Sequence, residues 1–118
     1  INYDELWRTL QSEFYEVPTY REKLRYGDLL IFFDLPEGVT GQSPIYFRWI
    51  RHATTYLFDK YTFSKGSKSP NSAYTIKTLE EEWSTWRRYT TNLLVKVFRK
   101  GRFYVRKHPP KNLTGWMN

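Results

Sequence analysis

The chain has 118 residues, a formal net charge of +7 and no cysteine. This length fits one globular domain, 1–118, which we expect to be trimmed from a longer chain because it does not begin with Met. The absence of cysteine excludes disulfides, thiolate metal sites and a cysteine nucleophile. No apolar run approaches the roughly 18 residues that span a membrane, and no signal-peptide pattern is present. We therefore expect the cytoplasm or the nucleus rather than secretion.

The first third of the chain predicts two helices and one buried strand. Apolar residues at helical spacing predict a helix over Asp4–Glu16, which Val17-Pro18 ends because the residue before proline avoids the α region. A second short helix is predicted over 20–26. The continuous apolar run within 28–34, flanked by turn residues, predicts a central strand that is buried on both faces.

The middle of the chain predicts a further helix and a loop. Ser43-Pro44 is typical of a helix start, and helical spacing of apolar residues continues over 45–57. The alternation Ile45-Phe47-Trp49 leaves a strand open over a few residues. The segment 64–72 is rich in Ser, Lys and Gly, which predicts a mobile loop.

A capping box marks the start of the last predicted helix. Thr78 and Glu81 can satisfy each other's free backbone N–H groups at the helix start. The spacing of the following apolar residues places Leu79, Trp83 and Trp86 on one face of this helix. We attribute the three glutamates of its first turn to the helix dipole.

The C-terminal region predicts a β-hairpin over 93–107. Two β-rich segments flank a turn at Lys100-Gly101, and Pro109-Pro110 closes the sheet. The predicted cross-strand pairs are Arg99 with Arg102 and Val97 with Tyr104. The expected fold class is therefore α+β, with a small, mostly antiparallel sheet (strand 28–34 plus this hairpin) covered by three or four helices.

Charge is distributed very unevenly along the chain. Residues 1–59 carry a net charge of −3 and residues 60–118 carry +10, and the stretch 87–111 holds nine Lys or Arg residues without an acidic one. Such a field attracts polyanions, so we predict a nucleic-acid-binding module, with RNA or single strands favoured. The candidate binding residues are Arg87, Arg88, Lys96, Arg99, Lys100, Arg102, Tyr104, Arg106 and Lys107, with Lys65 and Lys68 from the loop. Tyr104 is expected to stack on bases, and the cations are expected to contact phosphates.

Two other function classes stay open. A structural or assembly domain could dock an acidic protein or an anionic membrane with the same basic surface, and a homo-oligomer is also open. Exposure of aromatic rings beside the cations would distinguish the nucleic-acid-binding module from the assembly domain, because stacking on bases requires exposed rings.

A small Mg²⁺-dependent nuclease would use Asp28, Asp34 and Glu37, which flank the apolar strand. His52 is a conceivable base within a predicted helix, but no zinc-ligand spacing or cofactor motif is present. We assign no catalytic residue, metal or cofactor.

Overall fold

The computed structural model describes residues 3–18, 23–42, 45–65, 74–101 and 113–114. In chain order the elements are α1 (Tyr3–Glu13), β1 (Phe14–Val17), β2 (Leu29–Asp34), β3 (Ile45–Tyr46), a short 3-10 helix (Phe47–Trp49), β4 (Ile50–Tyr56), β5 (Tyr61–Lys65), β6 (Tyr74–Thr78), α2 (Leu79–Arg87), β7 (Leu93–Lys100) and β8 (Leu113–Thr114). Neither α1 nor α2 is long and apolar enough to cross a membrane.

Six of these strands form one antiparallel sheet with the order β1-β7-β2-β4-β5-β6. The remaining two, β3 and β8, form a separate parallel pair. The predicted fold class is therefore wrong. The described part of the chain is mostly β and has two α-helices, whereas we expected three or four helices over a small sheet.

The prediction of a central strand is confirmed by β2, which lies between β7 and β4. Its side chains alternate between the two faces of the sheet, as the pleat requires. Ile31 and Phe33 join the core beneath α1, whereas Leu30 and Phe32 join the core on the opposite face, which α2 covers. Burial on both faces explains the unbroken apolar run.

The helix predicted over 45–57 is wrong, and a β-bulge explains the misleading pattern. In the β2–β4 ladder Phe32 pairs with His52 and Phe33 pairs with Ile50, so Arg51 is an extra residue. Ile50 and Ala53, three positions apart, consequently pack on the same face of the sheet. This three-residue spacing within a strand imitates the spacing of a helix.

The predictions of the first and the last helix are confirmed in part, and the prediction of the second helix is wrong. The first helix, α1, ends at Glu13, three residues before the predicted end, because Phe14–Val17 pairs with β7. The capping box of α2 is present as predicted. The described part of 20–26 is not helical, and Gly27, with a φ of 88°, belongs to a turn. Of the predicted loop, Ser64 and Lys65 belong to β5, and the rest lies outside the described residues.

The predicted pairing of the C-terminal hairpin is wrong because both edges of β7 are occupied. Val97 pairs with Val17 on one side and with Leu30 on the other, so no edge is left for Tyr104. Arg99 pairs with Tyr15 of β1. The predicted second strand of the hairpin lies outside the described residues.

Candidate functional site

Two of the predicted phosphate-binding cations are instead bound to carboxylates within the fold. The buried Arg99 donates from Nε and from a terminal nitrogen to the two carboxylate oxygens of Asp28, each at 2.8 Å. It also donates to the backbone oxygen of Lys23 at 3.1 Å. Lys96 Nζ lies 2.9 Å from an oxygen of Glu16. Arg99 therefore joins β7 to the segment before β2, and it has no outward-facing charge.

The other predicted cations divide into exposed and undescribed residues. Arg87 and Arg88 at the end of α2 and Lys100 at the end of β7 are exposed. Only the backbone of Lys65 is described. The remaining candidates, Lys68, Arg102, Tyr104, Arg106 and Lys107, lie outside the described residues.

The three carboxylates of the nuclease hypothesis do not converge. Asp28 and Asp34 lie at opposite ends of β2, a separation of roughly 20 Å for six residues of extended chain. Asp28 is bound to Arg99, and Asp34 forms an ion pair with Arg51 at 2.9 Å. Glu37 is an exposed turn residue. Among the described residues, no cluster of three His, Asp or Glu side chains that could hold a metal ion is present.

A different set of residues converges between α2 and the sheet. A pocket of about 380 Å³ opens there, which is within the range of small-molecule sites. Strands β4, β5 and β6 supply its floor, and α2 with the turn that follows supplies its wall. The lining residues are His52, Ser64, Lys77, Glu82, Thr85, Trp86 and Tyr89.

The bulge in β4 directs His52 into this pocket. In a regular strand Ile50 and His52 would lie on the same face, because side chains alternate with a period of two. The extra residue Arg51 changes this phase, so Ile50 packs beneath α1 while His52 pairs with Phe32 on the α2 face. Bulges commonly redirect a side chain next to a functional site.

The register of α2 brings Glu82 into the same space. Leu79, Glu82 and Trp86 are three and four positions apart and lie on the face of α2 that is directed at the sheet. Glu82 is 1% exposed, whereas Trp83 is 42% exposed. The predicted inward face of Leu79, Trp83 and Trp86 is thus wrong at its second member, where a carboxylate takes the place expected of an indole.

His52 and Glu82 form a buried imidazole–carboxylate pair. His52 Nε2 lies 3.0 Å from Glu82 Oε2, and the two side chains are 13% and 2% exposed. Ser64 donates its hydroxyl proton to the other carboxylate oxygen at 3.1 Å. The contact between Nε2 and Glu82 is close but is not a well-aligned hydrogen bond.

The carboxylate of Glu82 is held in its charged form. Burial raises the pKa of Glu82, but the contact with His52, the hydroxyl of Ser64 and the positive charge of Lys77 together outweigh burial. The net result is a pKa below the ordinary value. A charged carboxylate beside Nε2 favours the tautomer that carries its proton on Nε2.

Aromatic rings fix the plane of the imidazole. The ring of His52 stacks on that of Trp86 with centroids 4.9 Å apart, and it contacts the ring of Phe32 at 5.7 Å. Within the described part of the chain, no hydrogen bond involves Nδ1 of His52. His52 is one of the residues that line the pocket, and its Nδ1 is not engaged by another described residue.

The arrangement contains the parts of an acid–base site but no protein nucleophile. A base, an orienting carboxylate and a cation (Lys77) line one pocket. The hydroxyl of Ser64 is bonded to Glu82 and not to His52, so it is not activated. A larger pocket of about 640 Å³ lies on the same face, but mostly apolar side chains line it, and it holds no comparable polar pair.

The sequence analysis missed this site because two of its residues were read on the wrong element or face. His52 was assigned to a helix and Glu82 to the helix dipole. A usable signal was the 79, 82, 86 spacing, which is as compatible with a helix face as the 79, 83, 86 spacing and makes Glu82 a candidate for the inward face. Comparison with known proteins adds nothing to the assignment, since no family model, curated protein or solved structure matches this chain.

Proposed function

We propose that the pocket between α2 and the sheet is a general acid–base site for hydrolysis or group transfer. The single observation that carries this proposal is the buried His52–Glu82 pair, whose histidine lines a pocket and makes no hydrogen bond through Nδ1 to the described residues. A carboxylate that holds one imidazole nitrogen while the other nitrogen handles a proton is a recurring arrangement of acid–base catalysis.

Each lining group has a chemical role in this proposal. Nδ1 of His52 takes the proton from a water molecule or a substrate hydroxyl, whose oxygen attacks an ester or phosphoester centre; the bond to the leaving oxygen then breaks, and the imidazolium returns the proton to that leaving alkoxide. Glu82 positions the imidazole and stabilises the imidazolium that forms. Lys77 supplies positive charge where the transition state becomes anionic. Trp86 and Tyr89, with ring centroids 6.1 Å apart, give the pocket an apolar wall.

The test is hydrolysis of activated esters and phosphodiesters by the intact chain and by matched variants. We expect H52Q to lower kcat/KM by roughly 100- to 10,000-fold, the usual contribution of a general base. E82Q should lower it less, and H52Q/E82Q should be no worse than H52Q alone, because the two residues act as a unit.

The matched control is E80Q, which removes an exposed carboxylate from the same helix turn. It should leave the rate unchanged. Equal rates for the native chain and H52Q on every substrate that is turned over would contradict the proposal.

A further inference from the structure

The outer surface of the β5–β6 hairpin exposes apolar side chains on the face of the sheet opposite the pocket. Tyr74 and Ile76 are each 63% exposed, and Phe63 is 40% exposed. Phe63 pairs directly with Ile76, and Thr55 pairs with Phe63. These side chains therefore form one continuous patch across two neighbouring strands.

The patch is exposed because the layer above this face covers only part of the sheet. The core beneath α1 contains residues of β2, β4 and β7, such as Phe33, Ile50 and Phe98, but no residue of β5 or β6. Within the described part of the chain, that layer ends before Phe63. Exposed apolar patches of this kind on a small domain commonly mark a binding surface.

The two aromatic rings of the patch are arranged in parallel. The rings of Phe63 and Tyr74 lie 6° from coplanar orientation with centroids 5.1 Å apart, an offset stack. Along β5 the next ring on this face is that of Tyr61, which Lys60 Nζ approaches to 5.9 Å from the centroid. The face of the sheet thus presents flat π-surfaces next to an ammonium group.

The charge of this hairpin has one sign only. Residues 60–79 contain four lysines and no acidic residue, and one of the four, Lys77, lines the pocket on the other face. Lys60 is exposed, and Lys65 lies opposite Tyr74 in the ladder. Positive charge beside exposed flat rings is complementary to a phosphate backbone with unstacked bases, because bases stack on aromatic side chains in a sequence-tolerant way.

We propose that the Phe63–Tyr74–Ile76 surface binds single-stranded nucleic acid by stacking of bases on its rings, with the ammonium group of Lys60 at a phosphate. The exposed rings favour this partner over an acidic protein or an anionic membrane, neither of which needs a stacking surface. This surface is separate from the C-terminal cations for which the sequence predicts nucleic-acid binding, and that binding stays a prediction. It is independent of the acid–base site on the other face.

The test is fluorescence anisotropy with a labelled oligouridylate of about 15 nucleotides, within the span of small single-strand sites. We expect F63A/Y74A to weaken binding by roughly 5-fold or more for each base lost from the stack. Lys60→Gln should reduce the salt dependence of log K by roughly one phosphate contact.

Two controls separate this surface from general charge and from the pocket. Y26A removes another strongly exposed ring, 79% exposed, and should leave binding unchanged. H52Q should also bind normally, so failure of the acid–base site and failure of this surface are distinguishable. The altered side chains are exposed, so an unchanged thermal midpoint verifies that F63A/Y74A is folded.

Three results would overturn the proposal. The first is absence of binding at low salt. The second is equal affinity of the native chain and the folded F63A/Y74A variant. The third is binding of phosphatidylserine vesicles or polyglutamate that matches oligouridylate and shows the same loss in F63A/Y74A, which would assign the patch to a membrane or an acidic protein.

Discussion

Two buried carboxylates of this domain, Asp28 beside Arg99 and Glu82 beside His52, illustrate the difference between an interaction that holds a fold and one that can do chemistry. In the first pair, both oxygens of Asp28 accept from Arg99, and one also accepts from the backbone N–H of Arg25 at 2.8 Å. In the second pair, Glu82 accepts a hydrogen bond from Ser64 and lies 3.0 Å from Nε2 of His52, and His52 lines a pocket.

The two pairs differ in how many of their polar atoms are hydrogen-bonded, whereas their burial is the same. Asp28 and Glu82 are each 1% exposed, and each lies beside a buried or nearly buried side chain, Arg99 or His52. A guanidinium has no lone pair to offer and stays charged at every accessible pH. An imidazole can exchange a proton near neutral pH, so only the second pair can act as a base.

The largest effect is expected from Arg99→Ala, which tests the structural pair. It leaves the charge of Asp28 buried without a partner, so we expect the free energy of unfolding to fall by about 3–5 kcal/mol. Denaturant unfolding measures this loss. Lys100→Ala, at the adjacent exposed position, should change stability by no more than about 0.5 kcal/mol. Comparable losses in both variants would contradict the assigned role of Arg99.

An intermediate effect is expected from Trp86→Ala, which tests the register of α2 at the acid–base pair. Trp86 packs on the ring of His52 and on the core below α2, so its loss should cost about 2–3 kcal/mol of unfolding free energy. Trp83→Ala removes an indole that is 42% exposed and lies outside both core clusters, so it should cost less than about 1 kcal/mol. The reverse order in urea unfolding would mean that Trp83, and not Glu82, faces the sheet.

The smallest effect is expected from Glu82→Gln, through its pH dependence. The pKa of Glu82 in the folded chain lies below its ordinary value of 4.5, so its charged form contributes stability that is fully present above about pH 4.5 and is lost as pH falls. At neutral pH we expect E82Q to be less stable by about 1–3 kcal/mol. This difference should shrink as the pH of a urea titration is lowered below 4.5. A difference that grows at low pH would contradict the assignment.

Local signals in the sequence predicted some elements and missed the sheet. The apolar run of β2 and the capping box of α2 were confirmed because burial on both faces and helix capping each depend on a few neighbouring residues. The six-stranded sheet depends on pairings such as Tyr15 with Arg99, which no local pattern encodes. The bulge at Arg51 interrupts the alternation of inward and outward side chains in β4, so the apolar residues of this strand recur at a helical spacing.

The candidate site was hidden for the same reasons. His52 and Glu82 are 30 positions apart and meet only after β4 and α2 pack together. The count of charges along the sequence also included Arg99 among the surface cations, although Arg99 is hydrogen-bonded to the carboxylate of Asp28, 71 positions away. Net charge predicts attraction to a class of partner, but it does not identify which side chains remain outward after folding.

The most direct test of the central claim is the reaction of His52 with diethyl pyrocarbonate, followed by mass spectrometry of the digested protein. This reagent acylates an unprotonated imidazole nitrogen, so no substrate needs to be known. We predict that His52 of the folded chain is modified, and that E82Q slows the modification while E80Q does not. A folded chain in which His52 stays unmodified, although the unfolded chain reacts there, would show that Nδ1 is closed and would contradict the acid–base assignment.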